Sequence, residues 1–288
     1  MNSPRLHHVQ CLIPGGLHRM GYWEWGDSHN PKVLVCVHGL TRQGRDFDVL
    51  AQAMSADYRV VCPDVVGRGE SDWLSDPSGY SVPMYVADMV TLLARLNASS
   101  LDWVGTSMGG LIGLGVAALP NNPIRRFVIN DVGPTLEASA IARIGSYLGL
   151  PIHWNTVEEA ADYMRGISKS FGPHTPEQWM ALTRPMLKAE GSGFKPHYDP
   201  RIGVPFRSVT PEVAAFGEAL LWKAYDAVTA STLLLRGAES DLLTPATARA
   251  MTQRGPKAQL IEFAGVGHAP TLIAPDQVAA VREFLLSA

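Results

Sequence analysis

The sequence predicts a three-layer α/β domain, on three observations. Short apolar runs that end in Gly or Pro recur along the chain. Amphipathic segments with helical spacing alternate with them. One serine, held between glycines, stands where a run gives way to such a segment.

The runs are "KVLVCVHG" (32–39), "RVVCPDVVG" (59–67), "SLDWVG" (100–105), "RRFVIND" (125–131), "STLLLRG" (231–237) and "AQLIEFAG" (258–265). Continuous rather than alternating hydrophobicity fits strands buried on both faces of a parallel sheet. Helical periodicity falls near 45–54, 83–95, 108–119, 244–252 and 275–286. The first 26 residues, with "YWEWGD", are expected to add an antiparallel edge pair.

The alternation stops between about 134 and 228. Four helical stretches occupy that interval: "LEASAIARIGSYL", "TVEEAADYMRGISKSF", "TPEQWMALTRPML" and "EALLWKAYDAV". Thr156 and Glu159 have capping-box spacing, and Thr175, Pro176 and Gln178 read as N-cap, N1 and N3. No strand pattern stands out there. The expected organisation is therefore a core of residues 1–133 and 229–288 and a helical cap, 134–228, inserted within that single catalytic domain. The cap is expected over the carboxyl edge of the sheet, where α/β folds place their sites.

Charge and composition narrow the function. Lys and Arg number 24 against 27 Asp and Glu, a net charge of −3, so no bulk field draws the chain to nucleic acid or an anionic membrane. Cys11, Cys36 and Cys62 are widely spaced among apolar residues and form no CxxC pair, which argues for reduced buried thiols and against a zinc site or disulfide framework. The N-terminus lacks the apolar core of a signal peptide, and "LIGLGVAAL" is half the length of a membrane span. A soluble, cytoplasmic protein is expected. No metal-ligand spacing and no cofactor motif appear. "PDVVGRGESD" (63–72) lacks both phosphate-loop patterns and reads as a loop brace.

Chemistry is concentrated in "VGTSMGG" (104–110). Gly105-Thr106-Ser107-Met108-Gly109 matches G-x-S-x-G between a predicted strand and a predicted helix, the context that motif requires. The turn is so tight that side chains two positions either side of the serine would collide. Gly110, Gly113 and Gly115 are expected to let the helix pack close to the sheet. A serine hydroxyl needs an adjacent base, and His268, in "FAGVGHAPTLIAP" after the last predicted strand, is the candidate. The base needs an acid to fix its tautomer. Asp241, in "LLLRGAESDLLTP", is favoured by the order Ser, Asp, His after successive strands, and Asp131, in "VINDVGP", is its rival. "VCVHGLTRQGRDFD" (35–48) can aim the Leu40 amide at the attacked carbonyl oxygen, with the Met108 amide as second donor, each contributing about 3 kcal/mol to the barrier reduction. His38 reads as a loop brace. Arg42 and Arg45 read first as solvated loop charges, with Arg42 a candidate contact for an anionic substrate group.

With these motifs in view, the chain resembles the α/β-hydrolase superfamily, in its cap-bearing, esterase-like branch. "VHGLTR" resembles the oxyanion loop, "PDVVGRGES" the D-x-x-G-x-G-x-S segment, "GTSMGG" the elbow, "RGAESDLL" the acid loop and "GVGHAP" the histidine loop. The resemblance implies an eight-stranded, mostly parallel sheet between helices with a helical cap after the sixth strand. It implies Ser107 as nucleophile, His268 as base, Asp241 as acid, the Leu40 and Met108 amides as oxyanion hole, and no cofactor. Serine at position 107 counts against epoxide hydrolase and haloalkane dehalogenase activities, which use aspartate there. The leading expectation is a serine hydrolase, carboxylesterase in type, cleaving a small-to-medium carboxylic ester through an acyl-enzyme. Alternatives on the same fold are carbon–carbon hydrolysis of ring-cleavage diketones and a non-catalytic ligand sensor. Among the cap's large side chains, Trp154, Trp179 and Trp222 are candidates to line the substrate pocket, although most such residues seal a cap's own core. Acyl-chain length, leaving group and oligomeric state carry no signal in the sequence.

Overall fold

The computed structural model describes residues 3–208 and 210–287. Eight strands form the main sheet: β1 (Arg5–Ile13), β2 (Gly16–Trp25), β3 (Val33–Val37), β4 (Arg59–Pro63), β5 (Leu101–Thr106), β6 (Ile124–Asn130), β9 (Ser231–Gly237) and β10 (Gln259–Phe263). Their spatial order is β1-β2-β4-β3-β5-β6-β9-β10. The first two strands form an antiparallel hairpin, and β2 meets β4 antiparallel; every later pairing is parallel. The expected α/β-hydrolase fold is thus present, including its antiparallel edge pair.

Alternate residues of each central strand face opposite sides. Val33, Val35, Val37, Trp103, Phe127 and Ile129 enter one apolar cluster. Leu34, Cys36, Val104, Val128, Leu233 and Leu235 enter the other. The two-faced burial explains why these runs show no polar alternation. Cys11, Cys36 and Cys62 are buried free thiols. Helices α1 (Asp48–Met54), α2 (Val82–Leu96), α3 (Met108–Ala117), α8 (Pro245–Met251) and α9 (Pro275–Leu286) connect or follow the strands. In α3, a Cβ on Gly113 would press on Trp103 and Phe127 of the sheet, whereas one on Gly115 would meet Val86 of α2 instead. Among the described residues no helix is long and apolar enough to cross a membrane.

The segment between β6 and β9 holds α4 (Ala138–Tyr147), α5 (Val157–Ile167), α6 (Pro176–Thr183) and α7 (Pro211–Asp226). Thr156 caps α5 by accepting from the Glu159 amide, and Thr175 with Gln178 closes a full capping box on α6. One feature departs from the all-helical expectation: β7 (Leu187–Glu190) and β8 (Gly193–Pro196) form an antiparallel hairpin. Four residues per strand are too few for a period-two pattern to register.

The inserted segment is stitched to the core. The Gly67 carbonyl accepts from Asp199 N at 2.7 Å, and Gly69 N donates to the His197 carbonyl at 3.0 Å. Buried Tyr80 donates to Asp199 Oδ2 at 2.6 Å. Away from the sheet's carboxyl edge, Cys11, His18 and Asp88 cluster within 4.8 Å, a buried polar group that no sequence spacing announced. His18 Nε2 lies 3.0 Å from Asp88 Oδ1 and so fastens α2 to the edge hairpin.

Candidate active site

Strand register brings the loops of the site together. β5 lies between β3 and β6, with Gly105 level with Val37 on one side and Ile129 on the other. Asn130 is level with both Thr106 and Leu235, so residue 131 emerges beside residue 107 and next to the end of β9.

Ser107 turns the chain from β5 into α3 at φ 52° and ψ −117°, a conformation costly for any residue with a Cβ. Its amide donates to the Asn130 carbonyl at 2.9 Å, which holds the bend against β6. A Cβ on Gly105 would strike the Gly109 carbonyl, and one on Gly109 would strike the carbonyl oxygen of Val37. Both glycines are therefore obligatory for the turn, as the spacing predicts.

His268 Nε2 lies 3.0 Å from Ser107 Oγ, and His268 Nδ1 lies 2.8 Å from Asp131 Oδ2. Asp131 is fully buried, at 0% exposure. Its Oδ1 accepts from Gly237 N at 2.8 Å and its Oδ2 from Ser240 Oγ at 2.7 Å. A buried carboxylate left without donors is costly, and these bonds occupy both of its oxygens. Hydroxyl, imidazole and carboxylate thus form one hydrogen-bonded line, suited to withdrawing a proton from the serine.

Asp241, favoured on chain order, is not in that line. It is half-exposed and pairs with Arg143 of α4, at 2.9 Å for each of two hydrogen bonds. Asp241 stands four residues beyond the last residue of β9, on a turn that faces outward, whereas Asp131 directly follows β6. The turn after β9 still serves the site: Ser240 and the Gly237 amide hold the carboxylate that β6 supplies.

The loop after β3 lies on the other side of the elbow. His38 is wholly buried; its Nε2 accepts from Val65 N at 2.9 Å and its Nδ1 donates to the Gly39 carbonyl at 2.7 Å. Burial, reinforced by the nearby Arg68 and Arg42 charges and only partly offset by the Gly39 carbonyl, lowers its pKa to about 3. It is a neutral brace between the β3 and β4 loops. Neither the Leu40 nor the Met108 N–H has an acceptor among the described residues, and Met108 opens α3, whose first amides point free. The two amides are thus available to an incoming oxygen.

The inserted segment also grips the histidine loop. Ser170 Oγ donates to the His268 carbonyl at 3.0 Å, and Gly267 N donates to the Ser170 carbonyl at 2.6 Å. Asn130 Nδ2 donates to the Pro270 carbonyl at 2.8 Å from the core side.

Two cavities lie between the core loops and the inserted segment. The larger begins at Thr41, next to Leu40, and runs into the inserted segment past Tyr147, Trp154, Tyr163, Met164 and Tyr198. No charged side chain lines it. The smaller lies between Gly39, Arg42, Thr106 and Ala269 on the core and Phe171 and Leu182 opposite.

The candidate pocket residues divide accordingly. Trp154 lines the larger cavity. Trp179 does not line either; it stacks on Phe171 and packs against His174. Trp222 lies elsewhere, donating to Thr135 Oγ1 at 3.1 Å beneath the Arg254 guanidinium. Arg42 borders the smaller cavity, but Asp46 engages it through two hydrogen bonds of 2.6 and 2.7 Å and the Leu182 carbonyl takes a third. It is a tether already neutralised, not an open cation. Thr41 and Ser240 fall inside the oxyanion-loop and acid-loop motifs, which draw attention to their neighbours Leu40 and Asp241 instead, and Ser170, Tyr163 and Tyr198 lie in segments with no motif of their own.

Comparison with known proteins shows the family. Residues 34–281 match the model of the Alpha/beta hydrolase family. The 3-hydroxybutyrate-oligomer hydrolase of Cupriavidus necator is 56% identical over 290 residues, covering 99% of each chain. Esterase YbfF of Escherichia coli is 23% identical, covering 90% of this chain and 95% of its own. A crystal structure of an alpha/beta hydrolase from Novosphingobium aromaticivorans superposes with a TM-score of 0.87 at 33% identity, covering 99% of both chains. The chain belongs to the alpha/beta hydrolase family, and it is a hydrolase.

Proposed function

We propose that the protein is a serine esterase that hydrolyses short oligomeric hydroxyacyl esters of the 3-hydroxybutyrate kind. The observation that carries this reading is the unbroken line Ser107–His268–Asp131 in a chain 56% identical, end to end, to a 3-hydroxybutyrate-oligomer hydrolase. The larger cavity supports it, because apolar walls with the hydroxyls of Thr41, Tyr147, Tyr163 and Tyr198 suit the uncharged ester repeat of such a chain.

In this mechanism Ser107 Oγ attacks the ester carbonyl as its proton passes to His268 Nε2. Asp131 stabilises the imidazolium and holds its tautomer. The carbonyl oxygen becomes an oxyanion between the Leu40 and Met108 amides. Collapse breaks the bond to the alkoxy group, which leaves as an alcohol with the proton from His268. Water, deprotonated by the same imidazole, then attacks the acyl-enzyme, releases the acid and restores Ser107. Residues 134–228 act as the cap that shapes the acyl side, and no cofactor takes part. Buried free thiols suit a cytoplasmic setting.

The test is hydrolysis of 3-hydroxybutyrate dimer and trimer followed by mass spectrometry, with Ser107→Ala as the blank. Release of free 3-hydroxybutyrate by the wild type and none by the variant is expected. Equal release by both would refute the nucleophile, and no release beside rapid cleavage of simple alkyl esters would refute the substrate class.

A further inference from the structure

One buried cation is left unused by this mechanism. Arg68, in the glycine-rich loop after β4, is 0% exposed and has no carboxylate partner among the described residues. Its contacts converge on the oxyanion loop and the elbow. Nε donates to the Leu40 carbonyl at 2.8 Å, and one terminal nitrogen lies 3.7 Å from Met108 Sδ. The other donates to the Val66 carbonyl at 2.7 Å and to the Tyr85 hydroxyl at 3.0 Å. The Tyr85 and Tyr80 rings, 5.2 and 5.8 Å from the guanidinium carbon, supply aromatic faces rather than a counter-charge.

Both residues whose amides form the oxyanion hole are therefore touched by one guanidinium. Burying a cation without an anion is unfavourable, and an aliphatic side chain would fill the same space without that cost. The arrangement makes sense where negative charge arrives only during the reaction. A fixed positive charge in a low-dielectric surround then favours the oxyanion over the neutral ester. The loop is built to keep Arg68 there: Gly67 and Gly69 adopt φ of 85° and 51°, and a Cβ on Gly69 would strike the Asp64 carboxylate.

We propose that Arg68 is the positioning residue of the oxyanion hole, locking the Leu40 backbone and the Met108 side chain from behind and holding an uncompensated positive charge toward the tetrahedral intermediate. This rests on the reading of Ser107 as nucleophile and of the two amides as donors. Arg68 does not touch substrate, so its loss should act on the transition state and not on ester binding.

The test compares wild type, Arg68→Met, Arg68→Lys and Ser107→Ala on a 3-hydroxybutyrate dimer and on a simple p-nitrophenyl ester, with circular dichroism to confirm folding. Arg68→Met is expected to lower kcat by about ten- to a hundredfold with KM within about threefold. A trifluoromethyl ketone, which forms a tetrahedral adduct, should lose affinity by the same factor, and Arg68→Lys should recover most of both losses. If Arg68→Met does not fold, Arg68→Gln, which keeps a donor but not the charge, takes its place with the same expectation. A folded, uncharged variant with kcat within threefold of wild type, or one altered in KM alone, overturns the proposal. Turnover surviving in Ser107→Ala would instead overturn the nucleophile reading beneath it.

Discussion

The carboxylate that meets His268 Nδ1 is that of Asp131, 2.8 Å away, and it directly follows the strand next to the one that leads into Ser107. Asp131→Asn should therefore lower kcat by about three to four orders of magnitude while leaving KM little changed. Asp241→Asn removes an exposed pair with Arg143, of the sort worth about 1 kcal/mol or less, and should leave kcat within about threefold. Steady-state kinetics on one ester decide between them. The reverse ranking would restore Asp241 as the acid.

The elbow should tolerate no side chain at position 109. Gly109→Ala places a methyl group on the Val37 carbonyl, so β3 and α3 must separate. A loss of about 3–5 kcal/mol in urea unfolding, or failure to accumulate as soluble protein, is expected. A stable, active alanine variant would mean that α3 does not approach β3 so closely.

His38 ties stability to acid pH. Its folded pKa of about 3 lies below the ordinary value of 6.5, so between those values the unfolded chain binds the proton and the folded one does not. Stability from this group is full above about 6.5 and drains as the pH falls toward 3. Thermal unfolding of wild type and His38→Gln from pH 7.5 to 4.5 checks this. The wild-type Tm should fall more steeply on acidification than that of the variant, and parallel curves would contradict a neutral buried His38.

The larger cavity should set chain length. Met164→Trp fills part of it and is expected to lower the ratio of kcat/KM for trimer over dimer by about tenfold. An unchanged ratio would place the longer chain elsewhere.

The tight turn at Ser107 and the place of His268 after the last strand were legible in the sequence because each depends on residues close together in the chain. Gly105 and Gly109 announce the turn around Ser107, and His268 follows a strand. The acid was ambiguous for a physical reason. β6 and β9 are neighbours, so the loops after both reach His268, and chain order could not say which side chain points inward. The useful signal was distance from the strand end: Asp131 is the first residue after Asn130, while Asp241 has already turned away, leaving Ser240 in the site. The inserted segment was harder. Its capping residues fixed α5 and α6, yet the places of Trp154, Trp179 and Trp222 depend on which face of the segment meets the core. That is decided by tertiary contacts such as Ser170 on His268 and Tyr198 beside the cavity, which local sequence does not encode.

Covalent labelling of the serine tests the central claim most directly. Wild-type protein treated with a fluorophosphonate, then measured by intact mass and peptide mapping, should carry a single adduct on Ser107, with hydrolysis lost in step with labelling. An adduct on another residue accounting for the lost activity, or an active enzyme that is never labelled at Ser107, would contradict it.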